Sequence, residues 1–194
     1  MLYPEELGVG LKEWDSVCEA LRQGRQIVLL RKGGIHESGG EFELEFRRFL
    51  LFPTFLHQDK SMLKPEHHEL FQYSGSEPTK IQIASYADVT DIVRIEDARQ
   101  INAIDKYHIW TPGLIQMRLE YRPENPLYLL LVRTFNLAQP VTIDNHPAYA
   151  GCRSWVGLRQ TINVKDASPA IDPATHQVYR DEIKAKIRAA LREE

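Results

Sequence analysis

The chain has 194 residues, of which 43% are hydrophobic and 26% charged, and its formal net charge is −3. This length is enough to bury a true hydrophobic core in one domain, and the composition excludes a disordered or low-complexity protein. The negative net charge argues against a protein that coats nucleic acid nonspecifically, although residues 22–32 and 153–165 each contain basic side chains and no acid.

The sequence shows no membrane or disulfide signature. No apolar run approaches the roughly 20 residues of a membrane-spanning helix, and the N-terminus does not resemble a signal peptide. We therefore expect a cytoplasmic protein without a membrane partner. Cys18 and Cys152 have no metal-binding spacing, so two reduced thiols are predicted. A single domain over residues 1–194 is expected, with its core at 24–160 and a C-terminal helix at 172–194.

The first elements predicted are a helix and two strands. Apolar residues recur at helical spacing over 10–23, and Gly24 is placed to end this helix. Residues 27–30 form a short apolar run between turn signals, which predicts a buried strand. Residues 41–47 alternate between apolar and charged, which favours a strand, although a helix is an alternative because apolar side chains also recur there at helical spacing.

The middle of the chain predicts further strands and short helices. Apolar residues return at 49–52, and Pro53 is expected to end regular structure. A short helix is predicted from 65 to 73. Residues 81–95 read either as one long strand or as two strands that meet at Asp88.

The C-terminal half predicts helices around one very apolar strand. Residues 96–104 suit a helix, and Thr111 followed by Pro112 is a typical helix start, although the residues after it also fit a strand. The run 127–132 predicts a central strand from which Arg133 leaves the core where Arg31 does. Asp172 and Pro173 start a long C-terminal helix with one apolar stripe.

These elements together predict an α+β fold. Helices flank many short strands that pair nonlocally, and the regular βαβα alternation of a doubly wound sheet is missing. The simplest such core is a small mixed β-barrel with flanking helices and a C-terminal amphipathic helix.

A basic and glycine-rich turn is the first candidate site. Arg31 and Lys32 end the strand at 27–30, and Gly33 and Gly34 follow, where backbone N–H groups and two cations would converge on a phosphate. The alternative is a glycine turn with solvated charges. Arg133 would add a further phosphate contact if it leaves the core beside Arg31.

Aromatic and polar side chains supply candidates for contacts with a base. Three aromatic residues would stack on a base or, alternatively, pack in the core: Tyr107, Trp110 and Trp155. Hydrogen bonds to the edge of the base would come from His57, Gln58 and Ser154.

The acidic side chains around the second glycine pair give an enzyme alternative. Glu37, Glu41 and Glu43 would hold Mg²⁺ for a nuclease, with Lys32 stabilising the developing negative charge. The competing interpretation is that these glutamates form the solvent face of a strand. The histidines show no metal-ligand spacing, and no cofactor is expected apart from this Mg²⁺. A protein-interaction module without a ligand is the third hypothesis.

Four segments resemble a known bacterial family. LRKGGIHE, FLLFPTFLHQ, LYLLLVRTFNL and YAGCRSWVGL are similar to segments of domain of unknown function 1802, and the resemblance covers nearly the whole chain. The family is linked in some members to restriction endonuclease catalytic domains. The resemblance therefore implies a role in restriction or modification of nucleic acid, with a restriction endonuclease as a partner, and it implies no catalytic residues.

A second resemblance is to PUA-like domains of the ASCH and EVE type. Gly24 and Arg25 lead into a strand that ends in Arg31, as those domains often begin, and residues 83–93 look like their mid-barrel strand. Trp110 stands where they often place an aromatic residue. The resemblance implies a barrel with a pocket for a nucleobase, often a modified one. Our prediction is a domain that binds nucleic acid or a nucleotide.

Overall fold

The computed structural model describes residues 5–32, 35–38, 41–72, 75–151 and 153–192. The strands are β1 (Glu6–Trp14), β2 (Val28–Arg31), β3 (Ile35–Ser38), β4 (Glu41–Leu44), β5 (Arg48–Thr54), β6 (Lys80–Ile95), β7 (Leu127–Asp144), β8 (Trp155–Asn163) and β9 (Ser168–Pro169). The α-helices are α1 (Asp15–Arg22), α2 (Ala98–Asn102), α3 (Pro112–Glu120) and α4 (Pro173–Ala190). Short 3₁₀ helices cover Lys60–Met62, Pro65–Leu70, Asp105–Tyr107 and Pro147–Tyr149. This mixture of elements confirms the α+β class.

In the described part of the chain, seven strands form one mixed sheet. Its order is β2-β7-β6-β5-β1-β8, and β9 adds to β7 outside this path. The β1 and β5 strands are parallel, whereas the other neighbouring strands are antiparallel. The β3 and β4 strands form a separate hairpin. Because β1 and β5 run in the same direction, their C-terminal ends meet at one edge of the sheet.

The sheet curls enough to bring β2 against β1. Arg31 at the end of β2 donates hydrogen bonds from Nη1 to the carbonyl oxygen of Lys12 at 3.2 Å and to the Glu13 carboxylate at 3.3 Å. Lys12 and Glu13 belong to β1, and β7, β6 and β5 lie between the two strands in the sheet. Among the described residues, however, no strand pair joins β2 to β8, so the predicted closed barrel is not confirmed. The contact between β2 and β1 is made by the Arg31 side chain rather than by backbone pairing.

Apolar side chains bury both faces of the sheet. In β5, Phe49 and Leu51 belong to a large cluster that also contains residues of the helices, whereas Leu50 and Phe52 belong to a second cluster among the strands. Alternate residues of a strand point to opposite faces, so β5 is buried on both. This explains why its sequence is a continuous apolar run.

The predicted helix over residues 10–23 is wrong in its first half. Residues up to Trp14 form β1, and α1 begins only at Asp15. Leu7, Val9 and Leu11 alternate as a strand does, and pairing with both β5 and β8 selects this conformation over the helical one. Gly24 does follow the helix, with a φ of 70° that favours glycine.

Most of the later elements agree with the predictions. Residues 80–95 form one long strand with register shifts after Ile83 and Val89. Thr111 caps α3, which resolves that region as helical, and Asp172 caps α4. Pro53 does not end regular structure, because it lies inside β5 opposite Glu13 of the parallel strand. No helix in the described ranges combines the length and apolar character that crossing a membrane requires.

An ionic contact fixes the C-terminal helix to the sheet. Asp91 of β6 accepts hydrogen bonds from Arg180 Nη2 at 2.9 Å and from Lys184 Nζ at 2.5 Å. Burial acts to raise the pKa of Asp91, but hydrogen bonds from Arg180, Lys184 and Thr90 outweigh it and lower the pKa to about 2. The carboxylate therefore stays ionised and holds α4 against β6, while Ile183 and Ile187 of the same helix enter the main core.

A buried histidine makes stability depend on pH. His108 is 1% exposed, and burial, with the nearby positive charge of Lys64, lowers its pKa from 6.5 to about 4. Its Nδ1 accepts a hydrogen bond from the Trp110 backbone N–H at 3.2 Å, which fits a neutral ring. The unfolded chain binds this proton at higher pH than the folded chain. The resulting stability is therefore complete above about pH 6.5 and is lost as the pH falls toward about 4.

We predict that His108→Asn flattens this acid profile. Asparagine retains an acceptor for the Trp110 N–H but does not titrate, so the variant lacks the loss of about 2 kcal/mol expected for His108 between pH 7 and about pH 5. Asp15 acts in the opposite direction, because burial raises its pKa to about 6, and it is present in both proteins. Thermal unfolding measured across this pH range checks the difference. Parallel profiles for the two proteins would contradict the prediction.

Candidate functional site

A cleft of about 470 Å³ opens where the C-terminal ends of β1 and β5 meet. The register pairs Glu13 with Pro53 and Trp14 with Thr54, so the two strand ends form one wall. The opposite side is formed by residues that follow β7 and by the end of α3. The lining residues include Lys12, Glu13, Trp14, Arg31, Phe52, Thr54, His57, Glu77, Arg118, His146, Tyr149 and Arg153.

A buried ion pair forms the floor of the cleft. The side chains of Arg31 and Glu13 are 12% and 6% exposed, and the Glu13 carboxylate also accepts a hydrogen bond from the Trp14 N–H at 2.8 Å. Burial lowers the pKa of Arg31, Glu13 opposes this effect, and the positive charge of Arg118 adds to it. Because Glu13 neutralises Arg31, this pair contributes structure more than free charge.

Lys12 ties the cleft wall to the loop before β8. Its ammonium donates hydrogen bonds to the carbonyl oxygens of Tyr149 and Gly151, the latter at 3.1 Å. Its backbone N–H donates to the Ser154 carbonyl at 2.9 Å. The loop that carries Arg153 is therefore held at the cleft by a cation of β1.

Arg118 and Arg153 supply positive charge without a counter-charge. Arg118 lies on α3 and is partly exposed, whereas Arg153 is exposed on the loop before β8. Across the described ranges, neither guanidinium has an ion pair within 4.0 Å or a hydrogen-bonded acceptor. An anion that enters the cleft would therefore meet two cations whose charge the protein has not neutralised.

The remaining walls combine aromatic rings with polar groups. Trp14 is half-buried and faces the cleft from the end of β1. Tyr149 packs edge-on against Phe52, with 5.7 Å between ring centroids, and forms a rigid apolar side. The Glu77 carboxylate accepts hydrogen bonds from the Phe55 and Leu56 N–H groups. These contacts fix the backbone directly before His57.

His57 occupies an unusual backbone conformation beside the cleft. Its φ is 65°, in the left-handed region that few residues other than glycine adopt, and its side chain is exposed. Such conformations cost free energy and often occur at binding sites. His57 lines this cleft, and its contact with a base stays a prediction.

Two of the predicted ligand-binding residues line this cleft, Arg31 and His57. Lys32 does not, because its ammonium donates to the carbonyl oxygens of Leu119 and Arg122 at the end of α3, at 2.8 and 3.2 Å. Partial burial lowers the pKa of Lys32. Cations at helix C-termini stabilise the helix, so Lys32 serves α3 in this structure.

The predicted stacking residues are mostly part of the core. Tyr107 is 5% exposed and donates a hydrogen bond to Glu182, and Trp110 is 3% exposed and stacks on His108. Trp155 is half-buried and packs edge-on against Phe46 and Phe49. Of the two interpretations offered by the sequence, core packing fits Tyr107 and Trp110.

Two predicted polar contacts also lie beside the cleft rather than in it. Gln58 accepts hydrogen bonds from the Ser16 N–H and hydroxyl through Oε1, at 3.1 and 2.9 Å, and so caps the start of α1. Ser154 accepts the Lys12 N–H through its carbonyl. Neither side chain is among the lining residues.

Arg133 does not leave the core where Arg31 does. The β2 and β7 strands are antiparallel, with Arg31 opposite Tyr128 and Val28 opposite Leu131. Antiparallel strands have their C-terminal ends at opposite edges of the sheet. Arg133 therefore lines a different cleft, and the predicted meeting of Arg31, Arg133 and Trp155 in one pocket is not observed.

Several predicted site residues lie outside the described part of the structure. Gly33 and Gly34 are among them, as are the side chains of Glu37, Glu41 and Glu43, which belong to the β3–β4 hairpin. Among the residues that are described, no group of three or more histidine, cysteine, aspartate or glutamate side chains is arranged to hold a metal ion. The nuclease hypothesis remains an untested prediction.

The sequence did not single out Lys12, Trp14 or Arg118. The first two lie in the segment 10–23, for which the sequence predicts a helix. The alternation of Leu7, Val9 and Leu11 was the available signal for a strand that ends at Trp14. Nothing in the sequence around Arg118 marks it, because only the folded chain brings α3 to β1.

The sequence profile of the domain of unknown function DUF1802 matches residues 10–182. The chain belongs to the DUF1802 family. The DUF1802 range includes every residue that lines the cleft, and the family predicted from the four segments is confirmed. Among proteins with curated descriptions, none matches this chain.

Two crystal structures of ASCH from Zymomonas mobilis are similar to this DUF1802 chain in shape. The unaltered protein is 14% identical and has a TM-score of 0.47, with 78% of this chain and 87% of that chain covered. A point mutant of it is 13% identical and has the same TM-score, with 81% and 92% covered. ASCH domains, which the sequence also resembles, are thus among the similar structures. At this degree of similarity they say nothing about what this chain binds.

Proposed function

We propose that this chain binds a nucleotide or a strand of nucleic acid in the cleft at the ends of β1 and β5. Phosphate would contact Arg118 and Arg153, and a base would stack on Trp14. The observation that supports this most directly is the position of two guanidiniums without counter-charges beside a half-buried indole. His57 would hydrogen-bond the edge of the base.

The size and charge of the cleft suit such a ligand. Its volume of about 470 Å³ falls within the range of about 300 to 1,000 Å³ of small-molecule sites. The buried Arg31–Glu13 ion pair adds no net charge to the cleft, so the attraction for an anion comes from Arg118 and Arg153. Because every base has an aromatic face, stacking on Trp14 would tolerate different bases.

The family resemblance adds a context to this proposal. We propose that the ligand belongs to a restriction or RNA-modification pathway and carries a modified base. The apolar wall formed by Tyr149 and Phe52 would offer space next to a base without demanding a hydrogen bond from it.

Salt-dependent binding of short single-stranded RNA and DNA tests the proposal. Each phosphate contact releases counterions, so removing two arginines in an Arg118→Gln/Arg153→Gln protein is expected to reduce the magnitude of the negative slope of log K against log salt by about 1.4. Arg94→Gln is the matched control, since Arg94 is exposed on β6 and does not line the cleft.

The outcomes separate cleanly. Binding that weakens between about 50 and about 200 mM salt, with a reduced slope only in the double variant, supports the cleft. An equal slope for the double variant and Arg94→Gln, or no affinity for either polymer or for a mononucleotide at low salt, rejects it. Comparison of RNA with DNA of the same sequence identifies the preferred polymer.

A further inference from the structure

A second cleft, of about 400 Å³, lies at the other end of β5. Arg48 at the start of the strand lines it, whereas Thr54 at the end of the strand lines the first cleft. The residues that matter here are Arg48, Tyr86, Asp88, Arg133, Phe135 and Lys165. The two clefts share no lining residue, so they are separate sites.

Two stacked rings each contact one guanidinium in this second cleft. Tyr86 and Phe135 are directly opposite each other on β6 and β7, and their rings are 10° from parallel with centroids 4.9 Å apart. The guanidinium carbon of Arg48 lies 5.3 Å from the Tyr86 centroid, and that of Arg133 lies 5.1 Å from the Phe135 centroid. Both guanidiniums are therefore in cation–π contact with a ring of this pair.

Of these two arginines, only Arg48 has a carboxylate partner among the residues that the structure describes. Arg48 forms two parallel hydrogen bonds with the Asp88 carboxylate, both at 2.5 Å. Arg133 lies opposite Asp88 in the β6–β7 register, yet within the described residues it forms no ion pair. Lys165 pairs with Glu5 at 3.2 Å in an exposed contact. The cleft therefore retains the positive charge of Arg133.

The Arg133 side chain also has an unsatisfied donor. Its Nε is buried and, in the described structure, has no hydrogen-bond acceptor. Buried donors without an acceptor are uncommon in folded proteins and call for a missing partner. A tetrahedral oxyanion supplies such a partner, since Nε and one Nη of a guanidinium donate two parallel hydrogen bonds to its oxygens.

We propose that this second cleft binds a phosphate group through Arg133. The guanidinium turns from its buried position toward the cleft and donates from Nε and Nη to two phosphate oxygens. The Arg48–Asp88 pair keeps the neighbouring position neutral, so one anion is bound rather than several. This site is independent of ligand binding in the first cleft.

Nuclear magnetic resonance of arginine Nε–H groups tests the site directly. The Arg118→Gln/Arg153→Gln protein removes the free cations of the first cleft and is titrated with inorganic phosphate at constant ionic strength. A saturable shift of the Arg133 Nε–H resonance is expected. Absence of a saturable shift overturns the proposal, and this measurement needs no substitution at Arg133.

Substitution and a second ligand complete the test. In the same background, Arg133→Gln is expected to weaken phosphate binding at least about tenfold, whereas Arg94→Gln leaves it unchanged. An unchanged affinity in folded Arg133→Gln protein also overturns the proposal. A 5′-mononucleotide that binds more tightly than phosphate identifies a phosphate ester as the source, and equal affinity identifies free phosphate. Failure of oligonucleotide binding in the first cleft would not alter these results.

Discussion

Replacing Glu13 by glutamine is expected to lower the free energy of unfolding by about 3 to 5 kcal/mol, because Arg31 then remains buried without its counter-charge. Arg31 is 12% exposed, and Glu13 is its acidic partner. Glutamine keeps an acceptor for the Trp14 N–H, so the change isolates the charge. For a chain of this length the loss corresponds to a fall of roughly 6 to 20 °C in the midpoint of thermal unfolding.

Glu69→Gln is the matched control for this prediction. Glu69 also forms an ion pair with an arginine, Arg25, but its side chain is 54% exposed. Solvent screens such surface pairs, so little change in the unfolding temperature is expected. If Glu13→Gln and Glu69→Gln unfold at similar temperatures, the Arg31–Glu13 contact does not hold β2 against β1 in the way described.

Replacing Trp14 by alanine is expected to reduce the affinity for a single-stranded oligonucleotide by about 5- to 150-fold, the value of one stacked base. Trp14 → Phe should retain most of the affinity, since phenylalanine still offers an aromatic face. The measurement is a binding titration at fixed salt concentration. Trp14 also contacts the main core, so thermal unfolding of each variant must show a folded protein at the assay temperature.

An abasic oligonucleotide distinguishes stacking from a general disturbance of the cleft. It has the same phosphates but no base, so wild type and Trp14→Ala should bind it with equal affinity. If Trp14→Ala weakens the abasic ligand as much as the normal one, the indole supports the cleft structurally and is not a stacking platform. If neither ligand is affected, the base lies elsewhere.

Local signals in the sequence identified many elements because those elements depend on neighbouring residues. Asp172 followed by Pro173 marks the start of α4, and the apolar run after residue 126 marks β7. The strand β1 was missed because the three-residue spacing of Leu11 and Trp14 fits the helical period, although Leu7, Val9 and Leu11 fit the strand period. Pairing with β5, about 40 residues away in the chain, and with β8 decides between the two conformations.

The candidate site was likewise predictable from local sequence signals only in part. Arg31 was singled out by the glycine turn that follows it, and His57 as a polar candidate, and both line the first cleft. Arg133 was assigned to the same pocket from its place after an apolar strand, but strand direction placed it at the other edge of the sheet. A sequence run gives a residue's position along a strand, whereas the direction of that strand is fixed by pairing.

The sequence by itself determined the α+β class, the capped C-terminal helix, the family and the presence of clustered basic side chains. Tertiary structure alone decided which of those side chains meet, because the parallel β1–β5 pair gathers Lys12, Trp14 and His57 at one edge. The antiparallel β2–β7 pair sends Arg31 and Arg133 to opposite edges. Direction and register depend on burying two apolar clusters at once, and that requirement is a property of the whole chain rather than of any segment.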